Sequence, residues 1–536
     1  MTTAPLATSI ELRTPRGVFV NEPFVDFRSP DNARAMQATL DSVALQLGRE
    51  YDLIIGSRRV KTTEKIRSLN PARPAQVVGV HQKAGAEHAQ QAMDAALHAF
   101  EFWSRTRVEE RVSLLLGAAE IIRRRKFEFC AWLTYEVGKN WAEADADVGE
   151  TIDFLEFYAR EALRLAGATT PIQYPGERNE LLYIPLGVGA VIPPWNFPFA
   201  IMAGMTAASI VTGNTVILKP SSDAPTIAAK FIEALEEAGL PDGVVNFCPG
   251  SGSGFGNAIV EHPKIRFIAF TGSKAVGLEI HERAARTRPG QIWIKRTILE
   301  MGGKDSILVC ADADLDAAVE GVTASAFGFS GQKCSACSRA IVEASIYDVF
   351  VERLREHAGR LTVGDPAANH NLGPVINQAA LASMLRYIES GRREGKLVSG
   401  GTAPAAAGGG YFLEPTIFSE IPPQGVLAQE EIFGPVLAVI KVRSFEEGLE
   451  VANNTEYGLT GALYTSDRAR INLARREFHV GNLYFNRKCT GAMVGAHPFG
   501  GFNMSGTDSK AGGSDYLYLF TQGKSVAEAL RSTGAL

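Results

Sequence analysis

The fold is decided by residues 187–220, which have the sequence GVGAVIPPWNFPFAIMAGMTAASIVTGNTVILKP. The residues at 187–193 predict a strand, the small apolar residues at 199–212 predict a helix, and residues 214–219 predict a second strand. The alternation continues through a helix at 226–238, a strand at 244–248, a helix ending at Glu261, a strand at 265–270 and a helix beginning at Lys274. This order predicts a parallel α/β sheet of the nucleotide-binding type.

Polar residues and glycines follow the predicted strands, at the end where sheets of this kind bind ligands. These strand ends carry Pro194-Trp195-Asn196, Lys219-Pro220-Ser221-Ser222 and Thr271-Gly272-Ser273. The glycine-rich segment 250–254 lacks the third glycine of the G-x-G-x-x-G fingerprint, so the usual dinucleotide motif is not supported. The helix that opens at Ser273 still offers free N–H groups and a dipole that suit a phosphate.

Cys334 lies in the segment GQKCSACSR at 331–339, between a predicted helix at 322–329 and a predicted strand at 340–342. A turn in this position can present a thiol to a cleft, and the basic neighbours Lys333 and Arg339 predict a lowered thiol pKa. A buried, inert cysteine is the alternative, because most free cysteines are of that kind. On these residues alone both interpretations stay open.

Glu300 ends an apolar stretch, and Met301 separates it from a pair of glycines, Gly302 and Gly303. A carboxyl group in this place is partly desolvated, which raises its pKa into the range of a general base. The alternative is a strand-end glutamate held in a salt bridge.

Composition limits the class of protein. The chain has 536 residues, of which 46% are hydrophobic and 21% charged, with a formal net charge of −5. Two or three domains are expected from this length, and the mild acidity argues against nucleic-acid binding. Apolar runs are too short for a membrane span, and the amino terminus lacks the features of a secretory signal. Six cysteines in so long a chain predict a reducing, cytoplasmic location without a disulfide framework.

Six segments, in this order, resemble the aldehyde dehydrogenase superfamily over residues from about 50 to 520. They are Pro194-Trp195-Asn196-Phe197-Pro198, Lys219-Pro220, Phe270-Thr271-Gly272-Ser273, Glu300-Met301-Gly302-Gly303-Lys304, Gly331-Gln332-x-Cys334 and Glu431-Ile432-Phe433-Gly434-Pro435. The resemblance implies an α/β fold with a parallel-sheet dinucleotide-binding domain, an α/β catalytic domain and a β-ribbon for oligomerisation. The implied boundaries are 1–160 and 184–302 for the NAD-binding domain with its N-terminal arm, 303–505 for the catalytic domain, and 161–183 and 506–536 for the ribbon and tail.

The resemblance also implies a mechanism that these residue types support. Cys334 adds to an aldehyde carbonyl, and the Asn196 amide with the Cys334 backbone N–H stabilises the oxyanion. Hydride leaves to nicotinamide, and Glu300 activates the water that hydrolyses the thioester.

For the cofactor, the resemblance implies NAD. Many NAD-selective members carry a glutamate at the position of Ser222, so we expect NAD to work and NADP to be tolerated. The cofactor site is implied to contain Ile192, Pro193, Pro194, Trp195, Lys219, Ser221, Ser222, Gly252, Thr271, Gly272, Ser273, Gly302, Glu431 and Phe433. No metal ion is expected.

A narrower resemblance, to the 1-pyrroline-5-carboxylate dehydrogenases, suggests the substrate. It is carried by segments 136–141, 331–336, 486–492 and 498–502, and it implies oxidation of L-glutamate γ-semialdehyde to glutamate. Backbone N–H groups and polar side chains suit the substrate carboxylate, and two aromatic rings suit its aliphatic chain. The residues implied are Glu150, Phe197, Lys333, Ser335, Gly491, Ala492 and Phe499.

Other functions stay open at this stage. A different aldehyde dehydrogenase, such as one for succinate semialdehyde, is the nearest alternative. Cys334 and Cys337 have the spacing of a dithiol redox protein, and a disulfide between them could protect the nucleophile. A catalytically inactive homologue is disfavoured by the intact Cys334, Glu300 and Asn196. The expected partner is a small-molecule substrate, without nucleic acid or membrane, and the chain is expected to form a homo-oligomer, a dimer or an assembly of dimers.

Overall fold

A computed structural model describes residues 12–167, 171–404 and 409–530 of the chain. The helices are α1 (Pro30–Ala44), α2 (Ala86–Trp103), α3 (Val108–Arg124), α4 (Lys126–Val137), α5 (Trp141–Ala166), α6 (Ala200–Val211), α7 (Pro225–Glu237), α8 (Asn257–Glu261), α9 (Lys274–Ala285), α10 (Leu315–Phe327), α11 (Tyr347–Ala358), α12 (Gln378–Glu394), α13 (Val426–Gln429), α14 (Phe445–Asn453) and α15 (Arg468–Glu477).

The strands are β1 (Arg49–Tyr51), β2 (Leu53–Ile55), β3 (Arg58–Val60), β4 (Lys65–Asn70), β5 (Arg73–Gln82), β6 (Glu177–Pro185), β7 (Val188–Ile192), β8 (Thr215–Leu218), β9 (Val245–Phe247), β10 (Phe267–Thr271), β11 (Arg296–Glu300), β12 (Ser306–Val309), β13 (Arg339–Glu343), β14 (Lys396–Ser399), β15 (Thr416–Ser419), β16 (Val436–Val442), β17 (Tyr457–Gly458), β18 (Thr460–Tyr464), β19 (Asn482–Phe485), β20 (Phe502–Asn503) and β21 (Thr521–Ala529).

The first large sheet has the order β11-β10-β7-β8-β9-β2-β3. Strands β7 to β11 are parallel, and the β2–β3 hairpin adds an antiparallel edge. Every residue of β7 is buried, as expected for a central parallel strand with helices on both faces. The strands and helices predicted from residue 187 to the start of α9 are confirmed. Chain order reverses between β7 and β10, and ligands bind at such a switch point, beyond the carboxyl ends of the strands.

The second large sheet has the order β14-β15-β16-β13-β12-β18-β19, and only β14 runs antiparallel to its neighbour within it. The chain reaches β13 from α10 through a short 3₁₀ helix at Gly328–Gly331. Cys334 therefore lies in a turn between a helix and a buried strand, as predicted.

A separate two-stranded ribbon pairs β6 with β21 in antiparallel register, from Glu177 opposite Ala529 to Pro185 opposite Thr521. The predicted ribbon at 161–183 overlaps it only in part. Residues 161–166 are the last residues of α5, because buried Ala162 continues the apolar face of that helix. The division of the chain into domains stays a prediction. Among the described residues, no helix is both long enough and apolar enough to cross a bilayer.

Candidate active site

The turn before Cys334 has an unusual backbone. Phe329, Ser330 and Gly331 have φ values of 50°, 53° and 66°, in the left-handed region. Only glycine fits at position 331, because a Cβ there would lie 2.2 Å from the Gly434 carbonyl oxygen. Left-handed residues other than glycine cost about 1–3 kcal/mol each, and they persist where the surroundings hold them in place.

Side-chain hydrogen bonds supply that support. The Ser330 hydroxyl donates to the Gly373 carbonyl at 2.8 Å. The Gln332 amide oxygen accepts from the Ile376 N–H at 2.8 Å, and Gln332 is fully buried. These bonds fix the turn on both sides of Gly331, so the position of the Cys334 thiol is set by buried contacts.

Asn196 lies beside this turn. Its side-chain Nδ2 donates to the Gln332 carbonyl oxygen at 3.1 Å, which places the amide next to the segment that carries Cys334. An amide nitrogen has two hydrogens, so a second N–H remains for another acceptor. Asn196 and Cys334 line the same cavity, and the geometry suits an oxyanion donor.

The surroundings of Cys334 disfavour the thiolate form. Burial raises its pKa above the ordinary value, and the acidic side chains of Asp305, Glu431 and Glu300 raise it further. The backbone N–H of Ser335 acts in the opposite direction. The nucleophile therefore needs a base to remove its proton when it reacts.

The prediction that Lys333 and Arg339 lower this pKa is wrong. Lys333 Nζ forms an ion pair with Glu143 Oε2 at 2.7 Å. The Arg339 guanidinium is buried and donates to the backbone carbonyl oxygens of Lys304, Val451 and Ala452. Both charges are engaged by partners distant in sequence, which adjacency to Cys334 could not reveal.

Glu300 ends β11 and is buried. Ser509 donates its hydroxyl hydrogen to Oε1, and the Gly501 N–H donates to Oε2 at 3.3 Å. Burial raises the pKa of Glu300 to about 8, and the bonds from Ser509 and Gly501 partly oppose the rise. The expectation of a desolvated carboxyl group is confirmed. Its hydrogen-bond partners are a hydroxyl group and a backbone amide, and not the cation that the salt-bridge alternative required.

The cavity at the switch point has a volume of about 590 Å³. Every residue predicted for the cofactor site lines it, from Ile192 at the end of β7 to Phe433 after α13. Those that follow β7, β8, β9, β10 and β11 converge because these parallel strands end at the same edge, whereas Glu431 and Phe433 reach the cavity from the segment after α13. Residues that were not predicted also contribute to the wall: Asp223, Ser253, Gly256, Asn257, Val260, Phe270, Val276, Glu279, Ile280 and Met301.

Charged groups in the cavity wall suit a dinucleotide. Lys219 Nζ donates to the carbonyl oxygens of Pro220 and Gly250, each at 3.2 Å, and burial lowers its pKa to about 8. Burial raises the pKa of Glu431 to about 7. A Cβ at Gly302 would lie 2.1 Å from Glu431 Oε2, so this glycine makes room for the carboxyl group.

Among the residues predicted to bind the substrate, Phe197 and Lys333 lie close together. Phe197 follows Asn196, and its ring meets that of Phe329 at a centroid distance of 6.4 Å and an angle of 81°. Lys333 Nζ lies 5.8 Å from the Phe197 centroid. Burial and then Asp147 raise the pKa of Glu150 to about 8.

The loop after β19 carries the remaining predicted substrate residues. Gly491 has a φ of 75°, and its carbonyl oxygen accepts from Arg487 Nη2 at 3.1 Å. Ala492 is half-buried. Ser335 is buried, and its carbonyl oxygen accepts from the Cys489 thiol. Phe499 exchanges two backbone hydrogen bonds of 2.8 Å with Ala511. The structure thus fixes the backbone of these residues, while their roles stay a prediction.

Cys337 is buried and does not line the cavity that contains Cys334. Its thiol donates to the Arg339 carbonyl oxygen at 3.4 Å, and it interacts with the thiol of Cys489, in the loop after β19. These contacts do not favour the dithiol alternative with Cys334.

Sequence analysis missed the residues that hold the site in place. Ser509 and Gly501 hold Glu300, Glu143 pairs with Lys333, and a buried ion pair joins Lys139 Nζ to Asp147 Oδ2 at 2.9 Å. Lys139 lies in segment 136–141, which supported the narrower resemblance. Gly501 lies in segment 498–502, which supported it as well, and the others carry no local signal because their partners are distant in sequence.

Comparisons with known proteins agree with these features. A model described as "Aldehyde dehydrogenase family" matches residues 59–526. A protein of Geobacillus thermodenitrificans named 1-pyrroline-5-carboxylate dehydrogenase is 57% identical over 511 residues, covering 95% of this chain and 99% of that protein. A solved structure of 1-pyrroline-5-carboxylate dehydrogenase from Thermus with bound NAD has a TM-score of 0.94 and 54% identity, over 96% of this chain and 99% of that one. A structure of proline utilization A from Bdellovibrio bacteriovorus has a TM-score of 0.95 and 44% identity, over 98% of this chain and 55% of that longer one.

Proposed function

Because the chain belongs to the aldehyde dehydrogenase family, we propose that it oxidises L-glutamate γ-semialdehyde to L-glutamate with NAD. The semialdehyde is the open form of 1-pyrroline-5-carboxylate, and the reaction is the second step of proline catabolism. The observation that carries the proposal is the cavity at the switch point. Its wall contains Cys334, Asn196 and the strand-end residues that suit a dinucleotide, in a chain highly similar to dehydrogenases with that substrate.

The first step is addition of Cys334 Sγ to the aldehyde carbon. The thiol proton is lost to solvent as the C–S bond forms, and the developing oxyanion accepts from Asn196 Nδ2 and from the Cys334 N–H. One such donor contributes about 3 kcal/mol to transition-state stabilisation. Addition is needed because a thiohemiacetal releases hydride more readily than a free aldehyde does.

NAD, when bound, accepts this hydride and leaves a thioester on Cys334. Glu300 then removes a proton from water, and the hydroxyl oxygen attacks the thioester carbon. Collapse of the tetrahedral species breaks the C–S bond and releases glutamate, and Glu300 returns its proton to the Cys334 sulfur. Overall, one aldehyde, one NAD⁺ and one water give one carboxylate, one NADH and two protons.

The chain's own residues fit NAD. We infer that Lys219 binds the adenosine ribose, that Trp195 and Ser273 line the diphosphate region, and that Glu431 binds the nicotinamide ribose. The Phe433 ring lies edge-on to Trp195 at 5.5 Å, which forms an apolar corner beside Glu431. Ser222 places no carboxylate against a 2′-phosphate, so NADP is expected to be tolerated.

For the substrate, we infer that the N–H groups of Gly491 and Ala492 with the Ser335 hydroxyl bind the α-carboxylate. The Phe197 and Phe499 rings enclose the aliphatic chain. Lys333, which is paired with Glu143, contributes positive charge near the end of the site that binds the α-carboxylate. Glu150 contributes a carboxyl group near the site.

We further propose a cytoplasmic homo-oligomer. Each of the six cysteines is free, which suits a reducing compartment. The β6–β21 ribbon is a separate two-stranded sheet, and such a sheet is marginally stable in water by itself. A second copy of the chain is the natural cover for it.

The test is NADH formation from glutamate semialdehyde. The wild type is expected to prefer this substrate over acetaldehyde and succinate semialdehyde, and Cys334→Ala is expected to abolish turnover. Cys337→Ala is the matched control, since this buried cysteine does not line the cavity, and it should retain activity. A wild type that prefers succinate semialdehyde, or an active Cys334→Ala variant, would contradict the proposal.

A further inference from the structure

Lys139 and Asp147 form a buried ion pair behind the segment that carries Asn196 and Phe197. Both side chains have zero exposure, and Lys139 Nζ is 2.9 Å from Asp147 Oδ2. Isolated charges in such a place are strongly unfavourable, so each needs the other. Lys139 follows α4, and Asp147 lies in α5, yet neither residue has a part in the reaction steps.

The ammonium group of Lys139 also contacts two aromatic rings. Its Nζ lies 3.7 Å from the centroid of Phe197 and 4.9 Å from that of Phe329. A desolvated ammonium over an aromatic face is a favourable contact. The two rings come from different parts of the site: Phe197 follows Asn196, and Phe329 is the first left-handed residue of the Cys334 turn.

Asp147 connects the same pair to the backbone. Its second oxygen, Oδ1, accepts from the N–H of Ala200 at 2.7 Å. Ala200 begins α6, three residues after Phe197. The pair therefore holds the Asn196-Phe197 segment at two points, one through the ring and one through the start of the following helix.

We propose that Lys139 and Asp147 are a positioning pair, which fixes the Phe197 ring as the wall of the substrate's aliphatic chain. The proposal rests on the proposed function, because it assigns Phe197 to the binding of the semialdehyde. Neither residue is a catalytic residue, since each acts through Phe197. The pair sets selectivity for a substrate with a chain between aldehyde and carboxylate, and it has little effect on the smallest aldehydes.

A role confined to stability would give a different result. If the pair only connected α5 with α6, its loss would lower the melting temperature and reduce turnover of all aldehydes by the same factor. A positioning role raises KM for glutamate semialdehyde more than for propanal, and the effect depends on the ring at position 197.

The test compares four proteins: wild type, Lys139→Met/Asp147→Asn, Phe197→Leu and the triple variant. The first variant removes both charges and keeps an acceptor for the Ala200 N–H, so no buried charge is left unpaired. We expect KM for glutamate semialdehyde to rise roughly tenfold in Lys139→Met/Asp147→Asn, with kcat and the KM for propanal within about threefold of wild type. In the Phe197→Leu background the same pair of changes should have almost no effect on KM.

Equal changes in KM in the two backgrounds, or an unchanged KM in Lys139→Met/Asp147→Asn, would overturn the proposal. If that variant does not fold, Lys139→Gln/Asp147→Asn takes its place, because it also removes both charges and keeps a polar side chain at position 139. A wild type inactive on glutamate semialdehyde would refute the proposed function instead. The four proteins are then compared on the aldehyde that the wild type prefers. The positioning role is supported if the effect of the charge changes on KM again disappears in the Phe197→Leu background.

Discussion

Replacing Glu300 by glutamine separates the two half-reactions of this enzyme. The change keeps the size of the side chain and an oxygen that can accept from the Gly501 N–H, and it removes the carboxylate that activates water. We expect acylation to continue and thioester hydrolysis to fail. General-base catalysis contributes roughly 10²- to 10⁴-fold, so steady-state turnover should fall by about that factor.

The pH dependence follows from the position of Glu300. Burial raises its pKa from 4.5 to about 8, and only the ionised form is a base. Roughly one tenth of the carboxyl groups are ionised at pH 7 and roughly nine tenths at pH 9. Where hydrolysis limits turnover, kcat of the wild type should therefore rise about tenfold between these pH values. Ser509→Ala removes a hydrogen bond that favours the carboxylate, so it should move this rise to higher pH.

Stopped-flow measurement of NADH formation distinguishes acylation from thioester hydrolysis. Glu300→Gln should show a stoichiometric burst followed by a very slow steady state, whereas the wild type turns over continuously. Thermal unfolding at pH 6 and pH 9 is the control for folding. A carboxyl group with a raised pKa loses its contribution to stability as pH rises through the folded-state pKa. The melting temperature of Glu300→Gln, relative to that of the wild type, should therefore be higher at pH 9 than at pH 6.

Two results would refute this reasoning. A burst that disappears together with the steady state would assign Glu300 to activation of Cys334 alone. A steady-state rate close to that of the wild type would mean that another group activates the water. Either result would remove Glu300 as the base for hydrolysis.

Three further substitutions test the remaining parts of the site. Asn196→Ala removes an oxyanion donor and should lower kcat/KM about 10²- to 10³-fold, with the melting temperature near that of the wild type; a decrease below threefold would exclude this role. Ser222→Glu should abolish NADP turnover and keep NAD turnover, because a carboxylate repels the 2′-phosphate; unchanged NADP kinetics would contradict the assignment. Ser335→Ala should raise KM for glutamate semialdehyde and leave that for propanal unchanged, and an unchanged KM for the semialdehyde would count against carboxylate binding at Ser335.

The first sheet was predictable because its signals are local. Residues 187–220 contain a strand, a helix and a strand in one continuous pattern, and the structure has β7, α6 and β8 there. A parallel arrangement then brings the strand ends to one edge, so Trp195, Lys219 and Ser273 could be placed in one site without coordinates. Placing these residues required only the order and direction of the strands, and it did not require the directions of the side chains.

Side-chain partners were not predictable, because they depend on contacts distant in sequence. Lys333 lies next to Cys334 in the chain, yet it pairs with Glu143, 190 residues away. Glu300 could be recognised as a desolvated carboxyl group, since its apolar neighbours are local. The hydroxyl group that holds it belongs to Ser509, 209 residues along the chain. Adjacency in sequence therefore indicates which groups are present and does not indicate which groups interact.

The pKa of Cys334 shows the same difference between neighbours in sequence and neighbours in space. Basic residues near Cys334 in the sequence predicted a lowered pKa for its thiol, whereas burial and then the acids Asp305, Glu431 and Glu300 raise it. These surroundings favour the thiol, which must lose its proton during the reaction. Thiolates are the form of cysteine that oxidants attack, so a thiol that ionises only when substrate is present is protected between turnovers. Glu300, with a pKa of about 8, is then left to take a proton from the hydrolytic water, so the base of the second half-reaction is separate from the ionisation of the nucleophile.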